Sequence, residues 1–154
     1  MFRIESTDFR EGEPIPKKFT CEGEDLSPDL KWTSPPEGTK SYILIVEDPD
    51  APMGTFTHWV VYDLPAKFHR LYMGMGNDPD LKDGIKHGVT DFGRDGYGGP
   101  CPPRGHGTHR YIFVLKALDV ETLGLAEGAS KGDIERAMRG HVLGETRIIG
   151  IYSR

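Results

Sequence analysis

The chain has 154 residues, with 19 Lys plus Arg against 24 Asp plus Glu, for a formal charge of −5. That acidic balance argues against nucleic acid or an anionic membrane surface as the main partner, because both reward clustered Lys and Arg. The longest apolar runs, Tyr42–Val46 and Trp59–Tyr62, fall far short of the ~20 residues that cross a bilayer, so no integral membrane segment is expected. The opening stretch, MFRIESTDFREGE, holds no apolar core for a secretion signal. A soluble, cytoplasmic, single-domain protein over residues 1–154 is expected. One Asn (Asn77) and no Gln, beside abundant Glu, Lys and Arg, match the composition of thermophilic proteins. The 20 glycines and 12 prolines, about a fifth of the chain, suit a mainly β fold with many turns.

Taken in chain order, Tyr42–Glu47 is apolar on both faces, as a central sandwich strand should be. It stops at Asp48-Pro-Asp-Ala-Pro52, where two prolines remove ladder donors. Thr57–Tyr62 predicts a second strand, ended by Asp63-Leu-Pro65. Residues 66–108 read mostly as glycine-rich turns, and loops of that length in a compact domain usually carry function. His109–Leu118 is the longest strand, with His109, Tyr111, Phe113 and Leu115 on one face. Glu121–Leu125 suggests a short helical turn. Ser130 with Asp133 forms a capping-box-like start for a helix carrying Ile134, Met138 and either Ala137 or His141, up to Gly144. Thr146–Tyr152 predicts a last strand. No internal repeat or composition shift divides the chain.

The common catalytic fingerprints fail. There is no Gly-x-x-x-x-Gly-Lys-Ser/Thr, no H-E-x-x-H and no G-x-S-x-G, and Gly96-Tyr-Gly-Gly-Pro-Cys101 lacks the third glycine of a dinucleotide loop. Three segments remain: Asp48-Pro-Asp-Ala-Pro52, His58 at the start of its strand, and Gly96–Arg104 running on to His109-Arg-Tyr111. A carboxylate fixes a histidine tautomer and raises its pKa, and glycines let backbone N–H groups approach an anion. The same residues read equally well as a turn and as partly buried sheet histidines.

DPDAP (48–52), THWVVYDLP (57–65) and GGPCPPRGHGTHRYIF (98–113), in this order, resemble the phosphatidylethanolamine-binding protein family, which includes the Raf kinase inhibitor proteins. Cys21–Trp32 and Thr90–Pro100 are similar to its prokaryotic branch. The resemblance covers nearly the whole chain. It implies an antiparallel β-sandwich with Greek-key connections, one or two short helices near the C-terminus, and a small anion pocket at one end of the larger sheet. Carried over by position, Asp48, Asp50, His58, His109 and Tyr111 belong to that pocket. Pro102 and Pro103 form its wall, Gly99 and Cys101 contribute backbone, and Ala51 and Pro52 complete the rim. Asp50 reads equally as a holder of Arg110 or a turn amide. His69, His87 and His106 have no motif support, with His106 expected in solvent and His141 in a packing or capping role within the helix. Trp32 and Trp59 are expected in the core.

The eukaryotic pattern of a tryptophan followed by two histidines is missing, since Phe56-Thr57-His58 leaves one. Their longer C-terminal helix is not found either, which predicts a more open pocket and no assured lipid specificity. The resemblance implies a non-enzymatic binding protein for phosphate- or carboxylate-bearing ligands, with no cofactor. Inhibition of a serine protease or kinase is the alternative, and metal-dependent hydrolysis through the two Asp and two His is the weaker third. Prokaryotic members are often homodimers, which gives that expectation here. Anion affinity is expected to rise as His58 and His109 protonate. Cys21 and Cys101 both lie in motifs of the prokaryotic branch, and two readings stay open for them. They are free thiols, or a disulfide that ties the glycine-rich segment to the N-terminal part.

Overall fold

The computed structural model describes Met1–Arg154. Its strands are β1 (Arg3–Glu5), β2 (Leu30–Thr33), β3 (Ser41–Asp48), β4 (Phe56–Pro65), β5 (Arg70–Leu71), β6 (Lys86–His87), β7 (His109–Leu118) and β8 (Val142–Tyr152), with one α-helix, α1 (Lys131–Met138). The strands form two antiparallel sheets, β1-β2-β5 and β6-β4-β3-β7-β8. In the larger sheet β6, β4 and β3 lie side by side and β7 returns beside β3, which is the Greek-key order.

Strand β3 is apolar throughout because both of its faces are covered. Tyr42, Leu44 and Val46 join Trp32, Trp59, Phe113 and Leu115 in the core between the sheets, while Ile43 and Ile45 meet Val60, Tyr62, Ile134 and Met138 beneath α1. Trp32 and Trp59 are fully buried core residues. On β7 the face carrying His109, Tyr111, Phe113 and Leu115 is buried and the opposite one is not, the alternation of a strand with a single core face. The outer edge of β8 is closed by the N-terminal segment, where Gly12 and Ile15 N–H donate to the Ile149 and Ile151 carbonyls at 2.7 and 2.8 Å.

The short strands β1, β2, β5 and β6 were not predicted, β8 begins at Val142 and not at Thr146, and three further elements differ from the sequence reading. Strand β4 runs on through Asp63-Leu-Pro65 because Asp63 adopts a left-handed φ of 56°, and the register with β3 shifts at that bulge. The buried Asp63 carboxylate accepts from Lys86 Nζ, Thr122 Oγ1 and Leu123 N at 2.7, 2.7 and 2.8 Å. Those bonds hold 121–125 as an irregular connection, so no helical turn forms there. Helix α1 starts as expected, with the Ser130 hydroxyl accepting from Asp133 N, but it ends at Met138 because Gly140 (φ 83°) reverses the chain. His141 therefore lies outside the helix, its Nδ1 2.8 Å from Asp119 Oδ1. No helix is long and apolar enough to cross a membrane.

Candidate functional site

Antiparallel pairing brings the end of β3 to the starts of β4 and β7, where Glu47 lies opposite Thr57 on one side and Ile112 on the other. Asp48, His58, His109 and Tyr111 thus meet at one end of the sheet, at a cavity of about 490 Å³. Ala51 and Pro52 line one side, and Cys101, Pro102 and Pro103 the other. The sequence reading missed six further lining residues, Met53, Gly54, Thr55, Phe56, Asp91 and Phe92. None of the lining residues is Lys or Arg.

Asp48 and His109 form a buried pair, with His109 Nδ1 2.7 Å from Asp48 Oδ2. A carboxylate only accepts, so His109 Nδ1 carries the proton and Nε2 is left for a second partner. Asp48 Oδ1 accepts from Asp50 N at 2.8 Å. That partner of His109 is His106, whose Nδ1 lies 2.6 Å from His109 Nε2. His106 was expected to be solvated; its exposed ring instead closes an Asp48–His109–His106 chain. The Gly-His-Gly tripeptide three residues before the β7 histidine was the only sequence signal for it.

Asp50 does not line the cavity. Its carboxylate accepts from Arg110 N, Nε and Nη2 at 2.9, 2.9 and 2.8 Å, and the guanidinium holds its pKa down to about 2. Gly99 does not offer its N–H to the cavity either. It donates to Asp25 Oδ1 at 2.9 Å, and Gly98 N donates to the His58 carbonyl at 3.0 Å. The glycines serve close packing instead, since a Cβ on Gly98 would sit 2.2 Å from the Phe92 ring and one on Gly99 2.2 Å from the Phe19 carbonyl oxygen. Asp25, which no motif marked, is therefore what anchors this wall.

His58 corrects the expectation that a neighbouring carboxylate raises both histidine pKa values. Its Nδ1 donates to the Gly98 carbonyl at 2.7 Å, and Phe56, Phe92 and Tyr111 rings surround it at centroid distances of 5.1, 5.2 and 5.2 Å. Burial lowers its pKa against the opposing pull of that carbonyl and of Asp48, which keeps the ring neutral. The Tyr111 hydroxyl is buried with no hydrogen-bond partner, close to Asp48 and the Cys101 N–H, and burial raises its pKa. It is an unspent donor at the cavity wall. The arrangement can bind and orient a small oxyanion. It places no activated nucleophile, because Cys101 is bonded to Cys21 with a Cα–Cα distance of 5.4 Å. No group of three or more His, Cys, Asp or Glu side chains is placed to hold a metal ion.

His58 and His87 are both buried, and burial lowers both pKa values. Their neutral forms are favoured in the fold, while the unfolded chain takes up protons near the ordinary pKa of about 6.5. This contribution to stability is present above that pH and is lost as the pH falls below it. Urea titrations between about pH 7 and 5 are expected to show a loss approaching ~1.4 kcal/mol per pH unit for each histidine. A flat profile there would contradict the neutral assignment. The depressed Asp50 pKa adds a smaller, solvent-screened loss as the pH falls from about 4 toward 2.

Comparison with known proteins bears on the whole chain. A family model described as phosphatidylethanolamine-binding protein matches residues 5–153. The UPF0098 protein of Aquifex aeolicus is 54% identical over 154 residues, which is 100% of this chain and 90% of that protein. The crystal structure of E. coli YbcL, described as a member of the mammalian family, has a TM-score of 0.92 at 32% identity and covers 99% of this chain and 98% of its own. That of CT736 from Chlamydia trachomatis, described as a homolog of the same family, has a TM-score of 0.89 at 37% identity, covering 99% and 97%. Since the model match spans 5–153 and the two-sheet architecture is shared from end to end, the chain belongs to the phosphatidylethanolamine-binding protein family.

Proposed function

We propose that the protein is a non-enzymatic binding protein whose cavity takes a small phosphate- or carboxylate-bearing ligand. The observation that carries this reading is the convergence of the buried Asp48–His109 pair and the unpartnered Tyr111 hydroxyl on one cavity. Asp48 orients the imidazole, and Tyr111 and the Cys101 N–H supply donors. The cavity, at about 490 Å³, leaves room for a substituent beyond the anionic group, against the apolar surface of Phe56, Phe92 and Pro52.

Calorimetric titration with phosphate tests the reading. Wild type is expected to give a saturable isotherm near about pH 6. Asp48→Asn keeps the side-chain volume and removes the charge, so affinity is expected to fall roughly tenfold or more, as for loss of a charged hydrogen bond. Thermal unfolding of the variant is the control for folding. No heat from wild type at any accessible phosphate concentration would sink the proposal.

A further inference from the structure

The hydrogen-bonding capacity of the cavity is unusual for an anion site. His109 spends its Nδ1 proton on Asp48 and His58 spends its own on the Gly98 carbonyl, at 2.7 Å each. In neutral rings both Nε2 atoms then carry lone pairs. The carboxylates of Asp48 and Asp91 also line the cavity, and no Lys or Arg does. Nearby Arg110 is already paired with Asp50. The side-chain donor left without a hydrogen-bond partner at the cavity is the Tyr111 hydroxyl, with the Cys101 N–H beside its oxygen. A fully deprotonated oxyanion would thus meet more acceptors than donors.

His106 shows how the protein itself answers this imbalance. In the neutral pair its Nδ1–H donates to His109 Nε2 at 2.6 Å, so a protein donor stands where a ligand's donor would go. The ring is exposed, and it sits between Gly105 (φ 76°) and Gly107 (φ 98°), while the backbone there is held by Gly105 N to the Arg154 carbonyl and His106 N to the Pro103 carbonyl at 3.1 Å each, so displacement turns the His106 side chain.

Building on the anion-pocket reading above, we infer that this cavity selects oxyanions that bring a proton of their own, hydrogen phosphate over sulfate, and that His106 is the group the ligand displaces. The ligand hydroxyl donates to His109 Nε2 and its remaining oxygens accept from Tyr111 and Cys101. The exposed His106 side chain rotates outward into solvent. Sulfate has no proton to give, so its oxygens would face the His109 Nε2 lone pair unpaired. The charged and titratable groups facing this chain are Asp48 from β3, His58 from β4, Tyr111 from β7, Asp91 from the loop before β7, Asp50, which acts on His109, its partner Arg110, which acts on Asp48, and Arg154 at the C-terminus, which acts on Tyr111.

The test is titration of the full chain with inorganic phosphate and with sulfate at about pH 8 and about pH 5.5, for wild type and His106→Ala. Phosphate is expected to bind at both values, with sulfate at least roughly tenfold weaker at the higher pH and gaining on acidification. His106→Ala removes the competing hydrogen bond, so phosphate affinity is expected to rise roughly fivefold with the phosphate-to-sulfate ratio kept. Because His106 is exposed, unchanged thermal unfolding confirms an intact fold. Equal binding of sulfate and phosphate at about pH 8 overturns proton selection while leaving the anion pocket standing. Weaker or unchanged phosphate binding in His106→Ala overturns the displacement. Failure of both anions at both pH values overturns this inference and the anion pocket together.

Discussion

Reduction of the Cys21–Cys101 bridge is expected to cost the protein about 4.5 kcal/mol, the value the chain-entropy model gives for a loop of this length before strain is subtracted. The two cysteines are 80 residues apart in sequence, so the bridge removes a large share of the unfolded chain's freedom. Both residues are exposed and open to a reductant. For a domain of this size the loss corresponds to roughly 10–20 °C in Tm. Urea titrations with and without reductant measure it. At the pocket wall the bridge is backed by hydrogen bonds that survive reduction, Cys21 N to the Pro100 carbonyl at 3.1 Å and the Tyr97 hydroxyl to the Phe19 carbonyl at 2.7 Å, so there the bridge fixes the position of Cys101 itself. Phosphate affinity is therefore expected to fall on reduction, as Cys101 N–H loses its fixed position. An unchanged unfolding midpoint would show that the wall is held by these hydrogen bonds alone.

Replacing Gly99 by Ala is expected to destabilise by roughly 3 kcal/mol, at the upper end for overpacking a well-packed site. The new Cβ would lie 2.2 Å from the Phe19 carbonyl oxygen and 2.5 Å from Asp25 Oδ1. The first contact is with backbone that the neighbouring disulfide holds in place. Relieving the second breaks the 2.9 Å bond from Gly99 N to Asp25. Gly54→Ala supplies the contrast: its φ is 105° but nothing lies within 4 Å, so only the conformational cost of about 1 kcal/mol applies. Equal urea midpoints for the two variants would refute the packing argument.

The sequence by itself determined the strands that form the frame. His109–Leu118 was legible to the residue, because a strand with one buried face alternates and a period of two survives in any sequence that folds this way. Tyr42–Glu47 was legible as a run apolar on both faces, which only a strand covered on both sides requires, and the strand runs one residue further at each end. The turn at 48–52 followed from proline's missing donor, and the family resemblance placed Asp48, His58, His109 and Tyr111 together. Local chemistry was enough for the strands and the turn, whereas the grouping of those four residues rested on the resemblance.

Tertiary structure alone decided what those groups do. His58 faces a carbonyl and three aromatic rings although it read from sequence as a charged pocket histidine, and the structure decides for Asp50 between the pocket and Arg110, two readings the sequence left equal. Asp25 and Gly99 meet across a sequence separation of 74, and Cys21 and Cys101 across 80. The bulge at Asp63 carries β4 past the point where its proline signals an end, and it draws the 121–125 segment out of a helical turn. A hydrogen-bond partner, a tautomer or a shifted pKa depends on distances of a few ångströms between distant parts of the chain. Periodicity and turn propensity record only what a residue's near neighbours in sequence require, so they carry no trace of those distances.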